Sequence, residues 1–412
     1  MQNQNQYKKS ILDNGVRVIT EKIPYVHSVS IGIWILSGTI DENVENNGIA
    51  HFVEHMVFKG TKSRTSLEIA DSLESLGGHI NAFTGKEITC FYAHILDENV
   101  EIAIDVLADL IKNPLLAERD IEKEKKVVLE EIGELEDSPD ELIHEYFIES
   151  LYKPHPISFS TLGRRKTVNS LNRNKINEFI QSNYSGNRIV VAAAGNINHE
   201  NIVETAEKYL LDIKNHTNRS SCKLNKEKNR TKIIENNFQQ AHICIGRRGF
   251  SYSDSRRYPL LLLNTILGFG MSSRLFQNIR EKHGLAYSIY SFADFLKNTG
   301  VFGVYLGTDK ENIELGIELV KKELKRFKNE PISKIELDKR KNQLKGNLLL
   351  GLESTSNRMN RLAKTEINYG KFNTIDSIIV AIDRVNGEQI FELATWLFNE
   401  DQLSTIILKP AQ

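Results

Sequence analysis

Two histidines and a glutamate lie within five consecutive positions, His51-Phe52-Val53-Glu54-His55. On a helix, positions i, i+3 and i+4 share one face, so both imidazoles and the carboxylate converge on a common point. Imidazole nitrogens so placed can grip one zinc ion at about 2.0–2.1 Å each. The carboxylate beside them can take a proton from water whose pKa the ion lowers to about 7. This is the HExxH arrangement read in the opposite direction. A chain with 11 histidines in 412 residues supplies roughly 0.03 such matches by chance. The competing reading is a helix with two partly buried, hydrogen-bonded histidines.

Catalytic zinc usually takes three protein ligands and keeps one position open, so a third ligand must come from elsewhere. The acid-rich helical pattern around Val127-Val128-Leu129-Glu130-Glu131-Ile132 is the best source. Its apolar stripe is Val128, Ile132 and Leu135, and Glu124, Glu131 and Glu134 flank that stripe. Glu124 and Glu131 stand two helical turns apart on one side, whereas Glu130 points about 100° away. Periodicity therefore leaves three candidates: Glu131, Glu124 and Glu134.

The elements that must position these groups follow from hydrophobic period. Period-two patterns predict strands over residues 15–21, 28–34, 79–84, 88–96 and 188–194. Helical patterns cover 49–58, 67–76 and 100–112, and a long one runs from 119 toward 151, which Pro139 should kink or split. The interval from about 215 to 229 is polar and rich in Lys and Asn, and reads as a linker. Beyond it the order restarts. Strands are predicted at 231–235, 241–245, 286–292, 300–307 and 404–408, with helices at 257–267, 273–282, 312–328 and 334–352. We expect an α+β fold of two similar halves, each an antiparallel-rich sheet backed by helices. Residues 1–214 form the first half, 215–230 the linker and 231–412 the second half.

Composition bounds the function. Net charge is -1 with 26% charged residues, and there is no basic stripe of the kind nucleic-acid binders carry. Cys90, Cys222 and Cys244 offer neither a CxxC pair nor a disulfide framework, which fits reduced thiols in the cytoplasm. The opening residues lack an apolar signal core, and no stretch has the apolar length of a membrane span.

With these residues in view, the chain resembles the inverzincin peptidases of the pitrilysin and mitochondrial processing peptidase superfamily, particularly small bacterial processing-peptidase-like members. The match carries Asn14-Gly15-Val16-Arg17-Val18 and the run from Gly48 to Thr61 that contains the histidines. The resemblance implies a clamshell of two halves around a cleft and one zinc ion per chain. It places the third ligand some 75 residues after the second histidine, which singles out Glu131, and it gives Glu124 the role of orienting the ligands. Gly77-Gly78-His79-Ile80-Asn81-Ala82-Phe83-Thr84 resembles a strand that pairs with extended substrate, implicating Asn81, Ala82, Phe83 and Thr84. In the second half, the run from Ile279 to Tyr287 matches a segment in which Arg280 and Tyr287 would polarise the substrate carbonyl.

Two departures stand out. Gly163-Arg164-Arg165 replaces a common Gly-Thr, so substrate contacts there should differ. The Gly268-Phe269-Gly270 turn is poorer in glycine than the loop of noncatalytic processing subunits. The second half has no HxxEH, since residues 259–263 are apolar, and should be a substrate platform. The resulting expectation is a zinc endopeptidase acting on peptide or unfolded protein, homodimeric as relatives of this length commonly are. The alternative is a noncatalytic structural subunit of the same fold.

Overall fold

The computed structural model describes residues 7–215 and 223–411. Residues 216–222, which include Cys222 and part of the expected linker, lie outside the described residues. In chain order the strands are β1 (Tyr7–Ile11), β2 (Arg17–Lys22), β3 (Ser28–Ile35), β4 (His79–Thr84), β5 (Thr89–Leu96), β6 (Ile189–Gly195), β7 (Thr231–Asn236), β8 (Ala241–Gly249), β9 (Ala286–Phe295), β10 (Gly300–Thr308) and β11 (Ser404–Pro410). The helices are α1 (Ile49–Val57), α2 (Ser66–Glu74), α3 (Val100–Lys112), α4 (Glu118–Asp137), α5 (Pro139–Tyr152), α6 (Arg165–Asn169) and α7 (Arg173–Asn183). They continue as α8 (His199–Leu210), α9 (Arg257–Gly268), α10 (Ile313–Asn329), α11 (Lys334–Gly351), α12 (Thr355–Tyr369), α13 (Ile375–Arg384) and α14 (Gly387–Leu397).

Apart from β1, the two sheets share one topology among the described residues. The first has the order β1-β2-β6-β3-β5-β4 and the second β7-β11-β8-β10-β9. In each, one parallel pair, β2 with β6 or β7 with β11, leads into antiparallel neighbours. Corresponding strands begin at 17 and 231, 28 and 241, 79 and 286, 89 and 300, and 189 and 404, displaced by 207 to 215 residues. This is the α+β, antiparallel-rich pair of halves expected from the restart in the pattern.

The compact units are not the two sequence halves. Among described residues, one comprises those up to 133, 159–215 and 351–372, and the other 134–158, 223–350 and 373–411. Helix α5 therefore belongs with the second sheet, and α12, which starts 216 positions later (355 against 139), with the first. The cause is visible in the strands. β6 is buried along its whole length, so both faces of the first sheet need cover. Apolar residues of α1, α3, α7 and α8 pack on one face. On the other, Ala192 and Ala194 leave room for α12, whose Met359, Leu362 and Ala363 meet Ile19, Trp34 and Cys90. Burying a side chain such as Leu362 contributes about 1.5–3 kcal/mol.

The second unit is built likewise, with α9, α10 and α14 supplying one apolar layer. Across its other face α5 sets His144 Nε2 2.8 Å from the Tyr290 hydroxyl, with Phe147 edge-on to Phe292. The long helical pattern breaks where proline requires: α4 ends at Asp137 and α5 opens on Pro139. Within the predicted helix over 273–282, residues Phe276–Glu281 form a π-helical turn.

Candidate metal centre

Helix α1 begins where Gly48 adopts φ 94°, a left-handed conformation that glycine tolerates. The first backbone N–H groups of a helix have no intrahelical acceptor. Here Glu42 supplies one: its carboxylate accepts from Gly48 N and Ala50 N at 2.9 Å and from Asn47 Nδ2 at 2.8 Å. Burial pushes the Glu42 carboxyl up to about 7, against the opposing pull of these donors and of Lys86. Asn47 Nδ2 also donates to the Ser160 carbonyl, and the Thr167 hydroxyl donates to the Asn47 carbonyl. A Cβ on Gly163 would meet Asn47 O at 2.5 Å and Gly48 Cα at 2.7 Å. The helix start is thus clamped between Glu42 and residues 160–167.

From this anchored helix His51 and His55 project toward α4. Their Nε2 atoms lie 3.1 Å apart. His51 Nε2 is 3.7 Å from Glu131 Oε2, and His55 Nε2 is 3.6 Å from Glu131 Oε1. These residues form a group whose donor atoms all lie within 4.8 Å of one another. Zinc bonds of about 2.0–2.1 Å in a tetrahedron require donor separations of about 3.3–3.4 Å. The observed spacings bracket that value, so the donor set fits such an ion. Burial, and then His55, push His51 down to about 3, leaving its ring neutral with one nitrogen lone pair available. Its Nδ1 is buried without a hydrogen-bond partner among the described residues.

His55 differs. Burial opposes its charge, yet the hydrogen bond to Glu124 and the fields of Glu131, Glu124 and Glu54 raise it above the ordinary imidazole value. Its Nδ1 sits 2.8 Å from Glu124 Oε1, and Glu124 Oε2 accepts from Lys59 Nζ at 2.7 Å. A carboxylate at Nδ1 fixes the tautomer and aims Nε2 at the shared point.

Glu54 shares this helix face. Burial, aided by the nearby Glu131, raises its carboxyl above the ordinary value, although a hydrogen bond from Thr84 and the field of His55 work the other way. Thr84 Oγ1 donates to Glu54 Oε2. Thr84 ends β4, the outermost strand of its sheet, whose only strand neighbour among the described residues is β5. On that strand the Ala82 N–H donates to the Asn81 side-chain oxygen at 2.8 Å.

The comparisons with known proteins identify the family and the fold. Residues 17–165 match the description "Insulinase (Peptidase family M16)", and residues 170–344 match "Peptidase M16 inactive domain". A Bacillus subtilis protein described as the uncharacterized zinc protease YmxG is 39% identical over 402 residues, 97% of this chain and 98% of its own. The chain belongs to peptidase family M16. A Rickettsia felis member, also described as a zinc protease, is 37% identical over 97% of this chain and 96% of its own. The fold is shared with a Helicobacter pylori protease at TM-score 0.91 and 22% identity, covering 98% of this chain and 99% of that one. It is shared equally with a Pseudomonas fluorescens structure described as a peptidase M16 inactive domain, at TM-score 0.91 and 19% identity, covering 98% of each.

Set beside the M16 resemblance, the structure brings His51, Glu54, His55, Glu124, Glu131 and Thr84 together in the first unit. Asn81, Ala82 and Phe83 lie along β4. Arg280 and Tyr287 belong to the second unit. Arg280 lies in the π-helical turn with its guanidinium 4.8 Å from the Phe276 ring centre, and Tyr287, in β9, is 78% exposed. Arg165 donates to the Leu129 carbonyl at 3.4 Å on α4, and Gly163 packs on the start of α1. Sequence reasoning missed Glu42 and gave Lys59 no role. Lys59 had a usable signal, since it follows His55 by only four residues, in the turn that closes α1. Glu42 had none, because its bonds arise from a loop folding back.

Proposed function

We propose that this M16 member is a zinc-dependent endopeptidase that hydrolyses peptides bound in extended form. His51, His55 and Glu131 hold one zinc ion per chain, and Glu54 is the general base. The observation that carries this reading is the convergence of three donor atoms on one point beside the Glu54 carboxylate. When bound, zinc supplies Lewis acidity, polarising a carbonyl and acidifying water. Glu54 takes a proton from the attacking water and returns it to the amide nitrogen as the C–N bond breaks. Glu124 holds His55 in the ligating orientation. The free edge of β4 receives the peptide backbone, whose carbonyl displaces Asn81 from the Ala82 N–H. Arg280 and Tyr287 stabilise the negative charge on the reacting carbonyl oxygen, a role supported by the family resemblance. A homodimer completes the reading on that resemblance alone, and the cytoplasm is proposed from the cysteine pattern.

Glu54→Gln tests the proposal. It should retain stoichiometric zinc by metal analysis and lose roughly 10²–10⁴-fold in cleavage of an unstructured peptide mixture. A native rate in this variant would remove Glu54 from the mechanism. Purified protein without stoichiometric zinc would favour a structural subunit of the same fold.

A further inference from the structure

The family resemblance groups Thr84 with the strand residues that meet substrate, but strand geometry separates it from them. Side chains alternate between the two faces of a strand. Phe83 points to the face where its ring meets Trp34 at 5.5 Å and Tyr92 at 6.3 Å. Ile80 and Ala82 point to the opposite face and pack on the core that includes α1. Thr84 shares their parity, which turns its hydroxyl toward α1 and onto Glu54 Oε2.

A hydroxyl has a single proton to give. Besides Glu54, the hydroxyl of Thr89, the cross-strand partner of Thr84, lies within reach at 3.5 Å. Thr89 spends its own proton on the Ser37 carbonyl at 3.0 Å, so it can only accept from Thr84. Between these two acceptors the carboxylate is the stronger, so the Thr84 proton is committed to Glu54 Oε2. It is then not available to a substrate carbonyl.

We infer that Thr84 is a positioning residue, holding one oxygen of Glu54 so that the other, Oε1, is left to carry the proton. The inference rests on the peptidase reading above. In the reaction the water O–H bond breaks, its proton goes to Oε1, and the oxygen keeps the electron pair that forms the new C–O bond. The proton then passes from Oε1 to the amide nitrogen as the C–N bond breaks. Oε2 stays bonded to Thr84 throughout, so the carboxylate does not rotate away between the two transfers.

Thr84→Val preserves the β-branched shape and deletes the hydroxyl, whereas Thr84→Ser keeps it. Misplacing a reacting group by about 1 Å can cost about 100-fold, so kcat in the Val variant should fall about 10- to 100-fold. KM and zinc content should stay unchanged, and the Ser variant should work at close to the native rate. Three results would overturn the inference: an unchanged kcat, a raised KM alone (making Thr84 a substrate contact), or a Ser variant as poor as the Val one. Thr84→Ala carries the same arms should the Val variant fold badly. If the native protein cleaves nothing when zinc-loaded, the peptidase reading falls, and metal-free crystal structures decide the inference separately. A Glu54 carboxylate displaced in the Val variant upholds it; one left in place sinks it.

Discussion

The Nδ1 atom of His55 lies 2.8 Å from Glu124 Oε1, and the other Glu124 oxygen accepts from Lys59 at 2.7 Å. Glu124 is itself 4% exposed, so its orientation is set by these two partners and not by solvent. Burial alone would raise its carboxyl, but the bonds to His55 and Lys59 bring it below the ordinary value. Glu124→Gln should therefore leave the fold intact and weaken zinc binding by about 10- to 100-fold, as loss of an orienting carboxylate does elsewhere. Competition against a chelator of known affinity measures this. An unchanged zinc affinity would reduce Glu124 to an ordinary salt-bridge partner.

The histidine pair makes a second expectation. Without a cation, a neutral His51 3.1 Å from a His55 whose imidazole is raised is best served by one shared proton between the Nε2 atoms. A divalent ion placed between these nitrogens must displace that proton. Zinc binding should release about one proton per chain below the raised His55 value, falling toward none as pH climbs above it. Calorimetry in buffers of different ionisation enthalpy counts these protons. A pH-independent count of zero would show that the pair holds no such proton.

Legibility from the chain alone followed the distance over which each feature is determined. His51, Glu54 and His55 are tied by the fixed turn of one helix, so their shared face is readable from spacing. Glu131 is harder: periodicity places it, Glu124 and Glu134 along the same flank, and only the approach of α4 to α1 separates them. The twin sheets were readable because strand periods and turn residues restart after residue 230. Which helix covers which sheet was not, since the apolar stripes of α5 and α12 say only that each needs an apolar partner. The bond from Thr84 to Glu54 and the clamp by Glu42 belong to the same class. Both depend on segments brought together by the sheet and the 160–167 loop, and no local pattern encodes them.

The close approach of that loop to α1 can be measured by contrast. At Gly163, φ is 83° and an added Cβ would strike backbone atoms of Asn47 and Gly48, which cannot swing aside. At Gly77, φ is 75° but nothing lies within 4 Å. Gly77→Ala should thus cost only the conformational term, about 1–2 kcal/mol. Gly163→Ala should add strain and displacement, about 1–3 kcal/mol beyond it. Urea unfolding of the two variants compares them directly. Equal losses would mean that the 160–167 loop does not press on the helix start.

Glu42 gives the last expectation, and its sign can be worked out. Its carboxyl rises from 4.5 to about 7 on folding because burial outweighs the donors at Asn47, Gly48 and Ala50. A carboxyl raised on folding binds more protons in the native state than in the unfolded one at intermediate pH. The stability it contributes is therefore full below the unfolded value of 4.5 and is lost as pH climbs through about 7. Glu42→Gln should be less stable than the native protein in acid, by about 1–3 kcal/mol, because the amide turns two N–H donors toward donors where the protonated carboxyl has only one O–H. The gap should narrow between about pH 5 and about pH 8, since only the native side chain titrates there. Urea midpoints of both proteins across that range give the curve. A gap that widened with pH would mean that the three donors hold Glu42 ionised and outweigh its burial, and the cap on α1 would then be strongest in alkaline solution.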